Sequence, residues 1–245
     1  NITQLAANTA TLDFLLCLSK VARINGFTRP TLQTSNTNHP LTVHGLYHPV
    51  VKKQFEKTGS GQHQKCFIEN TLTIEKNKNF ILLTGPNMGG KSTLMRQLGI
   101  LSVLTQIGSY VPAAQAAIPV YDQIFTRIGA QDNLSRAAST FMVEMNEVSA
   151  ILRNATSQSL LLIDEIGRGT STYDGMSLAW AISAFISEKL RATTIFSTHF
   201  HELTQMTQNI SSVRTLRVGV VEDEWGELHF TYLVEDGAAQ KSYGI

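Results

Sequence analysis

The chain has 245 residues, 42% hydrophobic and 16% charged, enough for one large α/β domain with a full core, or one domain with a short appendage. Its 20 basic and 19 acidic residues leave a net charge of +1, which excludes a global electrostatic attraction to nucleic acid or an anionic membrane. Any DNA partner has to be met by a local patch or by another part of a larger protein. No unbroken run of about 18 or more apolar residues is present, so no membrane-spanning segment is expected. Cys17 and Cys66 lack metal-ligand spacing and are expected as two buried thiols in a reducing cytosol. The chain opens without Met or a signal-peptide pattern and reads as a piece of a longer protein.

In residues 1–24, Ile2, Leu5, Leu12, Leu15, Leu16 and Val21 recur at helical spacing and predict a helix with one apolar face. Residues 25–40 hold Gly26, Pro30, Pro40 and many Thr, Ser and Asn, a loop composition that divides a helical segment, 1–40, from a main domain, 41–245. Residues 53–65 read as an exposed loop. Phe67 and Ile68, and then 72–74, suggest β-structure. The run Phe80, Ile81, Leu82, Leu83 is wholly apolar, as in a strand buried on both faces. Residues 91–107 predict a helix, and Met142, Met145, Val148, Ile151 and Leu152 mark another by their 3.6-residue rhythm. Buried strands are expected at 160–163 and 194–197, with a helix over 176–190 between them. The alternating runs 213–221 and 228–234 predict a hairpin. Buried strands alternating with helices imply an α/β fold, mainly a parallel sheet with helices on both faces and a smaller antiparallel part.

The segment Gly85, Pro86, Asn87, Met88, Gly89, Gly90, Lys91, Ser92, Thr93 matches G-x-x-x-x-G-K-[ST] between a buried strand and a helix. Glycines let the backbone turn its N–H groups toward phosphates, and the following helix adds the positive end of its dipole. Lys91 is expected at the β/γ-phosphates and Ser92 on Mg²⁺. This is a nucleotide-phosphate-binding loop, and the ligand expected is ATP or ADP. Asp164 and Glu165 close the strand at 160–163. Asp164 can hold the Mg²⁺ shell, and Glu165 can orient or deprotonate an attacking water. His199 follows the next buried strand, where it can sense the γ-phosphate or position water. Ser139 and Thr140 precede a helix; they read either as its cap or as a phosphate-binding N-terminus.

The segments GPNMGGKST at 85–93, STFMVEM at 139–145, LIDEIGRGTSTYDG at 162–175, GSYVPA at 108–113, STHFHEL at 197–203 and DGAAQKSYG at 236–244 together resemble the ATPase domain of the MutS family of DNA mismatch-repair proteins, most of all its bacterial form. The likeness covers roughly 41–245, and 1–24 is similar to the end of the family's helical core. It implies a P-loop fold of the ABC-ATPase type and a homodimer with two composite sites. Ser139 would then reach the γ-phosphate held by the partner subunit, and Asn87 would help position that phosphate. Residues 169–175 would pack across the interface. The likeness also places Phe67, with Ile68 beside it, and Tyr232 against the adenine, whereas by residue type alone both aromatics read as core. Mismatched DNA, a MutL-type partner and a bacterial cytoplasmic, nucleoid-associated setting are implied too. The domains that read a mismatch, and the family's C-terminal helix-turn-helix, would lie outside these residues. A departure is Leu134-Ser135-Arg136-Ala137-Ala138, where the family usually has a glycine before the Ser-Thr pair. A transporter ATPase would carry L-S-G-G-Q there. A nucleotide-binding module with little hydrolysis, or a MutS relative acting in recombination, are the other readings.

Overall fold

The computed structural model describes residues 1–33, 41–58, 67–129, 140–223 and 227–239. Helix α1 (Ile2–Asn25) starts at Asn1, whose side chain accepts from the Thr3 N–H, and ends at Gly26 in the left-handed conformation. Then come β1 (Thr31–Gln33), β2 (Leu41–Leu46), α2 (Pro49–Thr58), β3 (Asn70–Ile74), β4 (Phe80–Thr84), α3 (Lys91–Gln106), β5 (Gln115–Pro119), β6 (Ile124–Arg127), α4 (Thr140–Asn154) and β7 (Leu160–Asp164). Helix α5 (Thr172–Ala184) runs on into a π-helical turn, Phe185–Leu190, and leads to β8 (Thr193–Ser197), α6 (Met206–Asn209), β9 (Val213–Glu222) and β10 (Leu228–Asp236).

Among the described residues the strands form two sheets. The larger has the order β10-β9-β4-β8-β7-β6, and the smaller β1-β5-β2-β3. In the larger sheet β4 pairs in parallel with β8 and β9, and β7 with β6 and β8, while β9 and β10 form an antiparallel hairpin. Every residue of β4 and β7 is buried, because side chains alternate between two covered faces. Ile81 and Leu83 face a core shared with Leu94, Leu98 and Leu101 of α3 and with Leu41, Val43 and Leu72 of the smaller sheet. Phe80 and Leu82 face the other core, with Val148 and Ile151 of α4 and Ile182 of α5. Each such side chain contributes about 1.5–3 kcal/mol on burial, which explains why continuous apolar runs make the central strands.

Several expectations change. Residues 53–58 are not loop but the second half of α2. Pro49 suits a first helical position, Phe55 packs edge-on against Phe67 with ring centroids 6.2 Å apart, and Lys52 pairs with Glu69 at 2.8 Å. Phe67 and Ile68 precede β3 instead of belonging to a strand. Helix α5 starts earlier than expected, where the Ser171 hydroxyl accepts from the Asp174 N–H. The apolar face of α1 finds no core among the described residues: Ala22 is the residue buried, while Leu5, Leu12 and Leu16 are exposed. Cys17, on the same helix, is therefore exposed, contrary to the expected burial, and Cys66 lies outside the described residues. By length and composition alone α1 is also apolar enough to cross a membrane. A search for unbroken apolar runs passes over it, because Thr, Asn and Asp13 punctuate its sequence.

Beyond β7 the chain turns on two glycines in contact. Gly167 has φ +91, and a Cβ built there would lie 2.7 Å from the Cα of Gly175 in α5. The Gly167→Ala and Gly175→Ala variants are each expected to lower stability by about 1–3 kcal/mol through this overpacking, read as a shift in the denaturant midpoint. An unshifted midpoint for both would show that the contact gives way freely.

Candidate functional site

Parallel pairing brings three strand ends level. Leu83 of β4 pairs with Ser197 of β8, and Ser197 pairs with Asp164 of β7. The Glu165 N–H then donates to the Ser197 carbonyl at 3.0 Å, and the Thr198 N–H to the Leu83 carbonyl at 3.1 Å. The glycine-rich loop after β4, the acids after β7 and His199 after β8 thus meet at the carboxyl edge of the sheet, where open α/β folds place ligands.

The loop 85–90 takes backbone conformations that suit glycine. Gly85 has φ +140 and Gly90 φ +100, and Met88 is also left-handed at φ 65. Gly90 is the N-cap of α3 and has no side-chain cap, so its open amino end faces the loop. Lys91 is 4% exposed. Its Nζ donates to the carbonyls of Gly85 at 2.7 Å and Pro86 at 3.0 Å and lies 3.4 Å from Glu165 Oε1. A buried cation inside a ring of backbone groups, beside a bare helix N-terminus, is a cradle whose charge and N–H groups suit a polyphosphate. Asn87 and Met88 are exposed at the tip of the loop.

The acids differ in setting. Asp164 is 8% exposed; its Oδ2 accepts from the Ser92 hydroxyl at 2.6 Å, and its Oδ1 from the Ser197 hydroxyl. The Ser92 and Asp164 oxygens form an adjacent pair of hard donors, the kind that Mg²⁺ takes from protein when phosphate and water complete its shell. Glu165 adopts φ +49, a left-handed conformation costing about 1–3 kcal/mol for a residue with a Cβ. Its carboxylate is paired on one oxygen with Lys91 and on the other with Arg168. Arg168 also donates to Asn87 Oδ1 at 3.4 Å, closing a charged bridge between the two loops. His199 is exposed, and its ring lies tilted by 40° against that of Phe200 with centroids 4.1 Å apart. Desolvation, then the charges of Arg168 and Lys91, hold its imidazole below the ordinary histidine range.

A cavity of about 810 Å³ opens beside the loop and is lined by Phe67, Ile68, Gly90, Thr93, Gln97 and Tyr232, among others. Tyr232 sits at a register shift in the β9–β10 hairpin, with φ 57. Asn70 of β3 fixes it there, donating to the Tyr232 carbonyl at 3.0 Å and accepting from the Val234 N–H at 2.8 Å. A larger cavity of about 970 Å³, lined by Glu75, Asn79, Gln158 and Arg191, holds none of the motif residues, whereas Met88, Gly89, Gly90 and Thr93 line the smaller one. Ser139 falls outside the described residues, as do 134–138. Three participants escaped the sequence reading. Arg168 sits three residues after Glu165, a spacing that could have flagged it. Glu144, which reads as an early residue of α4, is 4% exposed and accepts from the Gly167 N–H at 2.7 Å. Asn70 carries no sequence signal, since its partners lie far along the chain.

Burial brings the Lys91 ammonium down from 10.5 to about 8, against the pull of Asp164 and with the push of Arg168. In nucleotide-free, metal-free protein the folded state therefore releases this proton near pH 8, and the unfolded chain near 10.5. Between those values the unfolded state holds the extra proton, so stability rises with pH. Relative to Lys91→Met, the wild type is expected to gain up to about 3 kcal/mol between pH 7.5 and 10.5, measured by denaturant unfolding. A pH-independent difference would place the Lys91 proton outside this window.

The family model for MutS domain V matches residues 81–245. DNA mismatch repair protein MutS from Shouchella clausii is 48% identical over 245 residues, 100% of this chain and 27% of that protein. The proteins of the same name from Leuconostoc mesenteroides and Clostridioides difficile are 46% and 45% identical, again over 100% of the chain and over 27% and 25% of their own length. The chain thus spans about a quarter of the curated relatives it matches, and α1 falls within the shared region. Identity at this level over every element, together with the domain match, means that the chain belongs to the MutS family.

Proposed function

We propose that this chain is the ATPase module of a DNA mismatch-repair protein, a P-loop fold of the ABC type that binds and hydrolyses ATP to close and reopen a dimer. The observation that carries the reading is the meeting of Lys91, Ser92, Asp164 and Glu165 at one sheet edge, through the Ser92–Asp164 contact at 2.6 Å and the Lys91–Glu165 contact at 3.4 Å.

In this reading Lys91 exchanges its contacts with the Gly85 and Pro86 carbonyls for phosphate oxygens, and the N–H groups from Gly89 to Thr93 turn toward the same charge. Ser92 and Asp164 hold Mg²⁺, which when bound neutralises charge on the phosphate oxygens. Glu165 orients and deprotonates the attacking water, and His199, kept neutral, contacts the γ-phosphate or that water. Asn87 steadies the γ-phosphate. Phe67 and Tyr232, with Ile68 beside them, hold the adenine in the cavity of about 810 Å³. Ser139 completes the site from the partner subunit, and residues 169–175 pack across that interface. Mismatched DNA is gripped by other parts of the full protein, a MutL-type partner reads the ATP state, and the whole works in the bacterial cytoplasm at the nucleoid.

One observation favours a quieter state for a lone subunit. Both oxygens of Glu165 are taken by cations, Lys91 and Arg168, so the general base is occupied until something draws Lys91 or Arg168 away. Such a subunit is a nucleotide-binding module with little hydrolysis. The two readings separate in a concentration series: turnover per subunit rises with protein concentration for the dimeric enzyme and stays flat for the binding module.

The Glu165→Ala variant is expected to keep ATP binding and lose hydrolysis by at least about 100-fold, measured as phosphate release. Undiminished turnover would falsify the assignment of the base. A Ser139→Ala homodimer is expected to bind ATP and hydrolyse it slowly; normal turnover would remove Ser139 from the site.

A further inference from the structure

Within the cavity beside the glycine-rich loop, one buried polar group has no use in the chemistry above. Gln97 lies in α3 and is 2% exposed. Its side-chain Oε1 is buried and has no hydrogen-bond partner, and Gln97 is among the residues that line the same cavity as Phe67, Gly90 and Tyr232. A buried amide acceptor left unpaired is destabilising, and a helix interior facing a mainly apolar wall has no structural need of one. The other buried amide on that wall is already occupied: Asn70 donates to the Tyr232 carbonyl and accepts from the Val234 N–H.

We propose that Gln97 reads the base of the bound nucleotide and makes the site select adenine over guanine, a step that rests on the nucleotide-binding reading above. The terminal amide of glutamine carries an acceptor beside a donor. Adenine presents the complement on its N6/N7 edge, with the exocyclic amino group donating and N7 accepting; guanine offers two acceptors there, O6 and N7. Oε1 accepts from the 6-amino group, and the amide NH₂ donates to N7. The aromatic walls supply stacking that any purine satisfies, so discrimination falls to Gln97. With guanine, Oε1 would face O6, two acceptors in a dry pocket, which is the situation in which a polar site rejects the wrong ligand.

The test is binding of three ligands to the full-length protein that carries this chain: ATP, GTP and the triphosphate of purine riboside, which keeps the ring and lacks the 6-amino group. The unaltered protein is expected to bind ATP about three- to tenfold more tightly than the purine riboside triphosphate, and GTP more weakly than ATP by at least as much. Gln97→Met keeps the side-chain volume and removes the acceptor. It should lower ATP affinity by more than that of the purine riboside triphosphate, which loses only the bond to N7, so that the two affinities converge. If Gln97→Met keeps the wild-type ratio of the two affinities, Gln97 does not read the base. Equal affinity of the unaltered protein for ATP and the purine riboside triphosphate overturns the proposal without any variant. Binding of none of the three overturns the nucleotide-binding reading itself.

Discussion

A carboxylate moved out of water has to be paired or hydrogen-bonded on every side, and Asp164 meets that demand by tying three elements together. It stands at the end of β7, level with Ser197 of β8 in the parallel register, and both serine hydroxyls that reach it, Ser92 and Ser197, come from other elements. An uncompensated buried charge costs several kcal/mol, so the start of α3 and the ends of β7 and β8 are held at fixed spacing. The neighbours of these residues inherit that spacing. Lys91 precedes Ser92 and turns under the loop, and Glu165 follows Asp164 and turns back toward Lys91. The left-handed backbone of Glu165 is the local cost of that turn.

The same carboxyl edge gathers parts from both sheets. Asn70 reaches from β3 of the smaller sheet to the irregular stretch of the β9–β10 hairpin and hydrogen-bonds it on both sides of Leu233. This carries the ring of Tyr232 to the mouth of the cavity next to Gly90. Phe67, just before β3, is positioned on the other element by its edge-on contact with Phe55. The cavity proposed to hold the base is thus a product of how the two sheets lie against α3, while the loop proposed to cradle phosphate follows a strand of the larger sheet.

Two contacts link the charged centre to the rest of the molecule. Glu144 ties α4 to the loop that carries Arg168 through the Gly167 N–H, and Arg168 bridges Glu165 to Asn87. A displacement of α4 would therefore be felt at the cations around Glu165. This is a short path of hydrogen-bonded and ion-paired groups between α4 and the acid proposed to act on water.

Sequence alone determined the central strands and the place of the glycine-rich loop between β4 and α3. A run such as Phe80, Ile81, Leu82, Leu83 can be satisfied only with both faces covered, and glycines before Lys91 and Ser92 supply the positive φ that the turn needs. The helical rhythm of α3 and α4 and the final hairpin were legible for the same reason, because local periodicity reports which side is buried. Tertiary structure decided everything that depends on distant partners. Strands β1, β2, β5 and β6 lack the continuous apolar runs of β4 and β7, so pairing partners define them. Residues 53–58 became helix because Phe55 found Phe67 and Lys52 found Glu69. The exposure of Cys17 and of the apolar face of α1 depends on which neighbours are present, which no periodicity records. Asn70, Glu144 and Gln97 acquire meaning only from what lies across the fold. A residue type states what a side chain can bond to, and only the packed chain determines what stands within reach.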